Sequence, residues 1–524
     1  MKNLTKYFFI TVLVAVIGFC LAACEQPAND DTDDEDKKPG ATVSAPTLVS
    51  KTQNGITINA VAAPTNGQTV EYAMTRDMSH PVSGWQDERT FSGLTAGTTY
   101  YIFARSKENN TYNAGIPSAG LPVTTDWANI NLAVANTAQW NAALDTIKNG
   151  GSGMTENPKN YTITVSGNVQ VIGSTANSFG SVSYITVTLK GNGKLYLIGQ
   201  GSLINIGNNQ TVHINSAGLT LQGLRIGQND STQDNNRSVV YITGGTLELL
   251  NGTIRDNGGD CGMFISAGNF TMSGGVISGN GGGVFVSGSS SSFTMSGGNI
   301  SGNTTSRNGG GVKVSGNFTM TGGTISGNNT GSDGYGCGGG VYFDGGSFTM
   351  SGGTISGNNA GSNRYGFNYA FYGGGVYFNG GSFTMSGGTI SNNTCGSTPP
   401  VFSASCGLGG GVYVGPGNFT MTGGTINGNT ASGGWRVGGN LDPIREIYRI
   451  DGTLASRDIY VGGGGVCVLG GSFTKSGGGS IYGNTATANN GDAVFYEGSS
   501  LLKRNAALGA GDNISTNTQT GWGQ

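Results

Sequence analysis

Between Phe270 and Phe419 the chain writes nearly the same phrase six times. Its fullest copy is Gly339-Gly340-Val341-Tyr342-Phe343-Asp344-Gly345-Gly346-Ser347-Phe348-Thr349-Met350-Ser351-Gly352-Gly353-Thr354-Ile355-Ser356-Gly357-Asn358. A degraded copy sits at Phe473 and another begins at Leu247. Units this short cannot each enclose a core. They are expected to stack as a solenoid, every unit burying its apolar face against its neighbours.

Each unit holds three short runs of period-two alternation, separated by glycine pairs. In Val341-Tyr342-Phe343 the first and third side chains share a face. In Phe348-Thr349-Met350 Phe and Met do the same, and in Thr354-Ile355-Ser356 only Ile is apolar. Such alternation marks strands with one buried face. Three-residue strands bounded by glycines suit a coil with three sides and three turns, because tight corners demand positive φ or the absence of a Cβ.

Stacked in register, the coils make rows. Phe270, Phe293, Phe318, Phe348, Phe383, Phe419 and Phe473 form one. Ile254, Ile277, Ile300, Ile325, Ile355, Ile390, Ile426 and Ile481 form another. Three residues after every Ile stands Asn: Asn257, Asn280, Asn303, Asn328, Asn358, Asn393, Asn429 and Asn484. Two structural readings of this Asn stand side by side: an amide ladder running from coil to coil, and a residue that tolerates a left-handed turn. The spacing between successive Phe grows from 23 residues, Phe270 to Phe293, to 54, Phe419 to Phe473. The growth falls mostly between the Asn corner and the next Gly-Gly-Gly-Val, so the insertions are expected to gather along one lateral ridge, where binding function usually lives.

The Gly-Gly-Val and Ile-Ser-Gly-Asn elements resemble the short repeats of polymorphic outer-membrane proteins and other surface proteins of the right-handed parallel β-helix superfamily. Trp140-Asn141-Ala142-Ala143-Leu144-Asp145-Thr146-Ile147-Lys148 reads as an amphipathic helix of the kind that caps such folds, and Tyr161–Val165, Ile185–Leu189 and Leu219–Leu221 read as strands of less regular coils. The resemblance implies fold more than activity, because that superfamily includes lyases, hydrolases, adhesins and passenger domains. No barrel-like C-terminal segment is evident, a departure from the autotransporter-type relatives.

Upstream, Lys2 and Lys6 precede an apolar run from Tyr7 to Ala23, and Leu21-Ala22-Ala23-Cys24 resembles a bacterial lipobox. That resemblance implies acylation of Cys24 and attachment to a membrane, expected to be the outer membrane or cell surface. The domain plan is therefore a signal peptide (1–23), an acidic tether (24–42), a fibronectin type III-like domain (43–126), a linker with the cap helix (127–160), the β-helix (161–515) and a tail (516–524). In the small domain, Gly55–Val61, Val70–Met74, Tyr100–Arg105 and Pro122–Thr125 read as strands. Leu94-Thr95-Ala96-Gly97-Thr98-Thr99-Tyr100 resembles the fibronectin type III corner, with Ala96 where Pro is usual, and Tyr100 is expected to make its hydrogen bond. The fold class is thus all-β, a right-handed parallel β-helix preceded by a small sandwich.

Composition narrows the function. Glycine is 98 of 524 residues without the collagen triplet, and charged residues are 10%, well below the usual quarter. A net charge of −3 carries no basic footprint for nucleic acid. Cysteines Cys261, Cys337, Cys395, Cys406 and Cys467 lie in the solenoid; Cys395 and Cys406 bracket one insertion and are candidates for a disulfide. Cys467 is read either as outward-facing or as a buried thiol. No Cys-x-x-Cys spacing suggests zinc, and no metal or cofactor is expected.

Catalytic β-helices of pectate-lyase or polygalacturonase type use clustered acids with an Arg, Lys or His. This chain has two histidines, His80 in the small domain and His213, read as an exposed strand residue. The outward repeat positions are Thr, Ser, Asn and Tyr, with Glu248, Lys313 and Lys475 as isolated exceptions. No catalytic residue is assigned there. Columns such as Thr354-x-Ser356 resemble an ice-binding lattice, but the second column is Ser or Asn, so they are read as ordinary strand surface. Acids gather in the longest insertion: Asp442, Glu446, Asp451 and Asp458, among Arg436, Arg445, Arg449 and Arg457.

The insertions are also aromatic. Tyr335, Arg364, Tyr365, Phe367, Tyr369, Phe371, Tyr372, Trp435 and Tyr448 are the candidate ligand-binding residues, suited to sugar faces or a protein hot spot. The competing reading packs these rings onto the coil flank. The leading expectation is a non-catalytic, lipid-anchored protein that binds a glycan or protein partner through the ridge. The alternative is a polysaccharide lyase or glycoside hydrolase with a site near Asp442–Asp458.

Overall fold

The computed structural model describes residues 37–225, 235–330, 336–361, 369–396, 405–432, 463–476 and 478–486, with short strands inside 435–456 and 494–504. Cys24 lies outside the described residues. The chain forms two compact units. One comprises residues 58–89 and 101–122 with the described part of 1–47; the other comprises 48–57, 90–100 and 123 onward.

In the first unit, Val70–Thr75 pairs antiparallel with the following strand, from Val70 opposite Ser106 to Thr75 opposite Tyr101. Glu71 and Arg105 on that ladder form an ion pair at 2.6 Å, and the Arg105 guanidinium lies 4.1 Å over the Trp85 ring. In the second unit, residues 55–57 pair antiparallel with Thr90–Ser92. The Tyr100 hydroxyl accepts from Thr95 N at 2.9 Å, the corner bond expected of a fibronectin type III-like chain.

The rest of the second unit is a right-handed parallel β-helix. Among the described residues Thr137–Asn149 is its single helix. Asn136 caps it by accepting from Gln139 N at 3.0 Å, and Gln139 reaches back to Ala135 N at 2.8 Å. Its apolar face, Trp140, Ala143, Leu144 and Ile147, joins the solenoid core. The first coil strand comes before the helix rather than after it: Ile130–Val134 already pairs in parallel with Lys159–Val165.

From there every Val, Phe and Ile strand pairs in parallel with its equivalent one coil on. Val341, Phe348 and Ile355 oppose Val376, Phe383 and Ile390. The Phe row is a continuous stack, with ring centroids 4.4 to 4.8 Å apart from Phe270 to Phe473. Phe and Ile side chains are buried throughout in one core running from Val134 to Ile481. Beside the Phe row runs a methionine row, Met272, Met295, Met320, Met350, Met385 and Met421, and Lys475 takes its next position. Lys475 is therefore buried inward and not on the outer face as expected, because it stands two residues from Phe473 on a period-two strand.

A fourth side, absent from the three-sided expectation, follows the Asn. Two-residue strands Thr304–Thr305, Asn329–Thr330, Asn359–Ala360, Thr394–Cys395, Thr430–Ala431 and Thr485–Ala486 form their own parallel ladder.

Of the two readings of the Asn row, the amide ladder is the one observed. Asn328 Oδ1 accepts from Asn303 N and Asn303 Nδ2, at 3.1 and 2.9 Å. Asn328 Nδ2 donates to Asn358 Oδ1 on the following coil and to the Ile300 carbonyl on the preceding one, both at 2.9 Å. The pattern repeats through Asn358, Asn393 and Asn429 to Asn484, so a polar amide is buried at each coil with its bonds made. The left-handed turn belongs to the residue before: Gly327 and Gly357 have φ of 61° and 62°. Where glycine is replaced at that corner the substitutes are Asp256 and Asn392, φ 56° and 53°, the residue types that tolerate it.

The ladder also explains the glycines before each Val. A Cβ on Gly340 would come within 2.6 Å of the Gly375 carbonyl, 2.8 Å of Ile355 Cγ2 and 2.9 Å of Asn358 Nδ2. Gly-Gly-Val and Ile-Ser-Gly-Asn are thus two halves of one contact.

Two stability outcomes follow. Asn358→Ala strands the Asn328 donors and the Ile325 carbonyl, at about 1–3 kcal/mol for each buried orphan. Urea unfolding should register the loss, and amide exchange at Asn328 should accelerate. Gly340→Ala should cost about 1–3 kcal/mol through overpacking, whereas Gly357→Asn should cost under about 1 kcal/mol because Asn already serves at position 392. Equal melting temperatures for the two glycine variants would contradict this account.

Candidate functional site

Alternation places the middle residue of each Val strand on the outer side. Register aligns these as one column: Tyr241, Phe264, Phe285, Lys313, Tyr342, Tyr377, Tyr413 and Cys467. The column divides in two by exposure.

Where insertions are long, the column is roofed. The returning chain forms another parallel pair, Tyr369–Tyr372 with Ser405–Leu408, and Cys337 bridges to Tyr372. Tyr372, Leu408 and Cys337 pack on Tyr342, Tyr377, Tyr413 and Cys467 as a satellite core. The three tyrosine rings stack at 5.0 and 5.1 Å, within 9° of parallel, and Tyr372 closes on Tyr413 at 4.7 Å. Phe371 points the other way and packs with Ala360 and Cys395. Phe371 and Tyr372 therefore do not face a ligand. They cover the flank, because the backbone returns in register with the coils.

This roof is dry. Burial pushes the Tyr342 phenol and the Cys337 thiol each up to about 12, and drives the Tyr377 and Tyr413 phenols well above a phenol's ordinary range. Cys261, against Asp260, is likewise pushed well above a thiol's ordinary range by burial. Cys467 satisfies both sequence readings: it occupies the outer column and is fully buried.

Over the preceding rungs, among the described residues, the column stays open, and two of its insertions are the shortest of the repeat. Val284 follows Asn280 after only three glycines. Tyr241, Phe264, Phe285 and Lys313 are partly exposed. Tyr241 and Phe264 meet at 5.2 Å and 61°, Phe264 and Phe285 at 4.9 Å and 81°. The Lys313 ammonium rests 4.4 Å over the Phe285 ring and 5.8 Å from Tyr342. Desolvation lowers the Lys313 pKa, and Asp344 opposes that shift. A row of hydroxyls borders the rings. Thr243, Ser266 and Ser287 donate to the carbonyls of Ile206, Ile242 and Ile265, at 3.1, 3.2 and 3.4 Å. With their protons so engaged, their lone pairs remain as acceptors.

Sequence reasoning recognised Lys313 as an exception and overlooked Phe264 and Phe285. The signal was present: both stand between two inward apolar residues, Met263 and Ile265, Val284 and Val286. His213, read as isolated, is brought opposite Glu248 on the next coil, Nε2 to Oε2 3.3 Å.

The remaining expected residues divide by location. Tyr335, Arg364, Tyr365, Phe367, Glu446, Asp451 and Asp458 lie outside the described residues. The backbones of Tyr369, Cys406, Trp435, Asp442 and Tyr448 lie in strands, and their side chains are outside the described residues. The proposed Cys395–Cys406 disulfide falls there too. Among the described residues no three His, Cys, Asp or Glu side chains gather as metal ligands.

The sequence matches no protein-family model and no curated protein sequence. Solved structures offer remote likenesses. The family 28 exopolygalacturonase of Yersinia enterocolitica is 10% identical, with 89% of this chain and 99% of that one covered and a TM-score of 0.28. A pectate lyase of Pectobacterium carotovorum is 11% identical, covering 82% and 100%, with a TM-score of 0.13. The fibronectin type III domain of human fibronectin type III domain containing protein 3 is 12% identical, covering 18% and 94%, with a TM-score of 0.15. The β-helix assignment rests on the strand register described above.

Proposed function

We propose that this chain is an envelope-anchored β-helix protein that binds a polysaccharide along the open stretch of its outer aromatic column. The observation that carries the reading is the run Tyr241, Phe264, Phe285 and Lys313: three partly exposed rings on successive coils, ended by a cation. Aromatic rings that stay accessible offer apolar faces for the C–H surfaces of sugars. The bordering row of Thr243, Ser266 and Ser287 supplies acceptors for sugar hydroxyls. The lipobox around Cys24 and the acidic tether support attachment at the outer membrane or cell surface, holding the solenoid away from the lipid.

The recognition surface thus lies on coils 240–313 and not on the aromatic insertions first expected. Those insertions act in this reading as the boundary of the surface, because they begin to cover the column at Tyr342.

A polysaccharide panel with the intact protein tests the reading. Phe264→Ala and Phe285→Ala should each weaken binding by roughly threefold to tenfold with little change in melting temperature. Trimming Tyr365–Tyr372 should act mainly on stability, since Phe371 and Tyr372 are core. Binding unaffected by either ring would overturn the assignment. Turnover of a bound glycan, lost in Asp442→Ala or Asp451→Ala, would instead support the lyase or hydrolase alternative.

A further inference from the structure

The same open stretch carries information about linkage, and the inference here rests on the glycan-binding reading above. Three of its features repeat with the coil. The rings advance by 5.2 and 4.9 Å. Hydroxyls accompany the first three rungs, one Thr or Ser per coil, each held by a bond to the preceding coil's Ile carbonyl, with a register shift between Thr243 and Ser266. Successive ring planes are inclined to one another by 61° and 81°, while the step stays nearly constant. Elsewhere in the protein aromatic rows stack nearly parallel, the Phe348–Phe383 pair at 4° and the Tyr377–Tyr413 pair at 4°. The herringbone is therefore particular to the open rungs.

A ligand that fits must be straight over several units. It must advance per unit by about the spacing of parallel strands, and its successive units must be turned relative to one another, as the rings are. A β-1,4-linked hexopyranose chain whose linkage oxygens are both equatorial does all three: its ribbon is extended, each sugar advances by nearly one strand spacing, and each is rotated about half a turn from the last. An α-1,4-linked glucan or a β-1,3-linked glucan curls and leaves the row after one or two rungs. We propose that the occupant is an unbranched β-1,4-linked hexopyranose chain lying parallel to the solenoid axis, with one sugar on each of the Tyr241, Phe264, Phe285 and Lys313 rungs. Tyr241 and Phe285 then meet equivalent sugars, Phe264 meets the flipped one between them, and Lys313 donates to oxygens of the fourth. The hydroxyls of Thr243, Ser266 and Ser287 accept from sugar hydroxyls along one edge. The roof beginning at Tyr342 ends the track.

Titration calorimetry on the intact protein with cellulose, chitin and mannan oligomers of two to six sugars tests this, with maltotetraose and laminaritetraose as the α-1,4 and β-1,3 comparisons. For at least one β-1,4 series, affinity should rise roughly threefold to tenfold per added sugar up to four and then level off. Phe264→Ala should flatten that rise. Should this variant lose its fold, Phe264→Leu, which keeps apolar bulk, together with Lys313→Met gives the same reading. Equal or tighter binding of the α-1,4 or β-1,3 tetramer would overturn the linkage inference and leave the glycan reading standing. A β-1,4 series whose affinity does not grow beyond two sugars would overturn the four-rung track. No binding of any oligomer would overturn both.

Discussion

Each repeat coil from Asn257 to Asn484 is closed by an amide that belongs half to its neighbours. Asn328 takes two bonds from Asn303 and gives one to Asn358 and one to Ile300, and so on along the row. In a dry interior an unmade bond of this kind is far more costly than the made bond is stabilising. No coil can therefore slip by a residue or tilt away without stranding donors on both sides. Two other features depend on that requirement. The glycine before each Val must lack a side chain because the amide and the Ile occupy its space, and the corner before each Asn must turn left-handed to aim the amide inward. The Phe stack adds burial, but an apolar row tolerates sliding; the amides supply the register.

The ladder bears on function by deciding where the chain is free to vary. Between the Asn-corner strand and the glycine run the backbone has left one set of obligations and has not yet entered the next. Extra residues collect there, and their return strands come back in register, as Tyr369–Tyr372 beside Ser405–Leu408. Long insertions after Asn328, Asn358 and Asn393 roof the outer column; the short ones after Asn257 and Asn280 leave it open. Exposure of Phe264 and Phe285 against burial of Tyr377 and Tyr413 is a matter of insertion length, not of the residue at the position.

Much of this was legible in the sequence. The Phe, Ile and Asn rows were, because identical residues at equivalent points of a repeat must meet when units stack. The helix near Trp140 and the Tyr100 corner were, because each carries a local signature. What could not be read was the fate of side chains whose surroundings come from another coil. Phe371 and Tyr372 look like exposed loop aromatics until the return strand is known to lie over Tyr377 and Tyr413. His213 and Glu248 stand 35 positions apart on an irregular stretch, so no repeat announces their meeting. The Lys475 misreading was different: two-residue alternation from Phe473 places it inward, and its chemistry outweighed its position.

The interchangeability of the amide bonds has a consequence for how such a gene changes over time. Asn303, Asn328, Asn358 and Asn393 present the same acceptor to the coil before and the same donor to the coil after. Removing or duplicating one whole unit by unequal recombination therefore rejoins matching ends of the amide row. Reach is then free to drift by whole coils, while the rungs at Tyr241, Phe264 and Phe285 lie outside the units so exchanged.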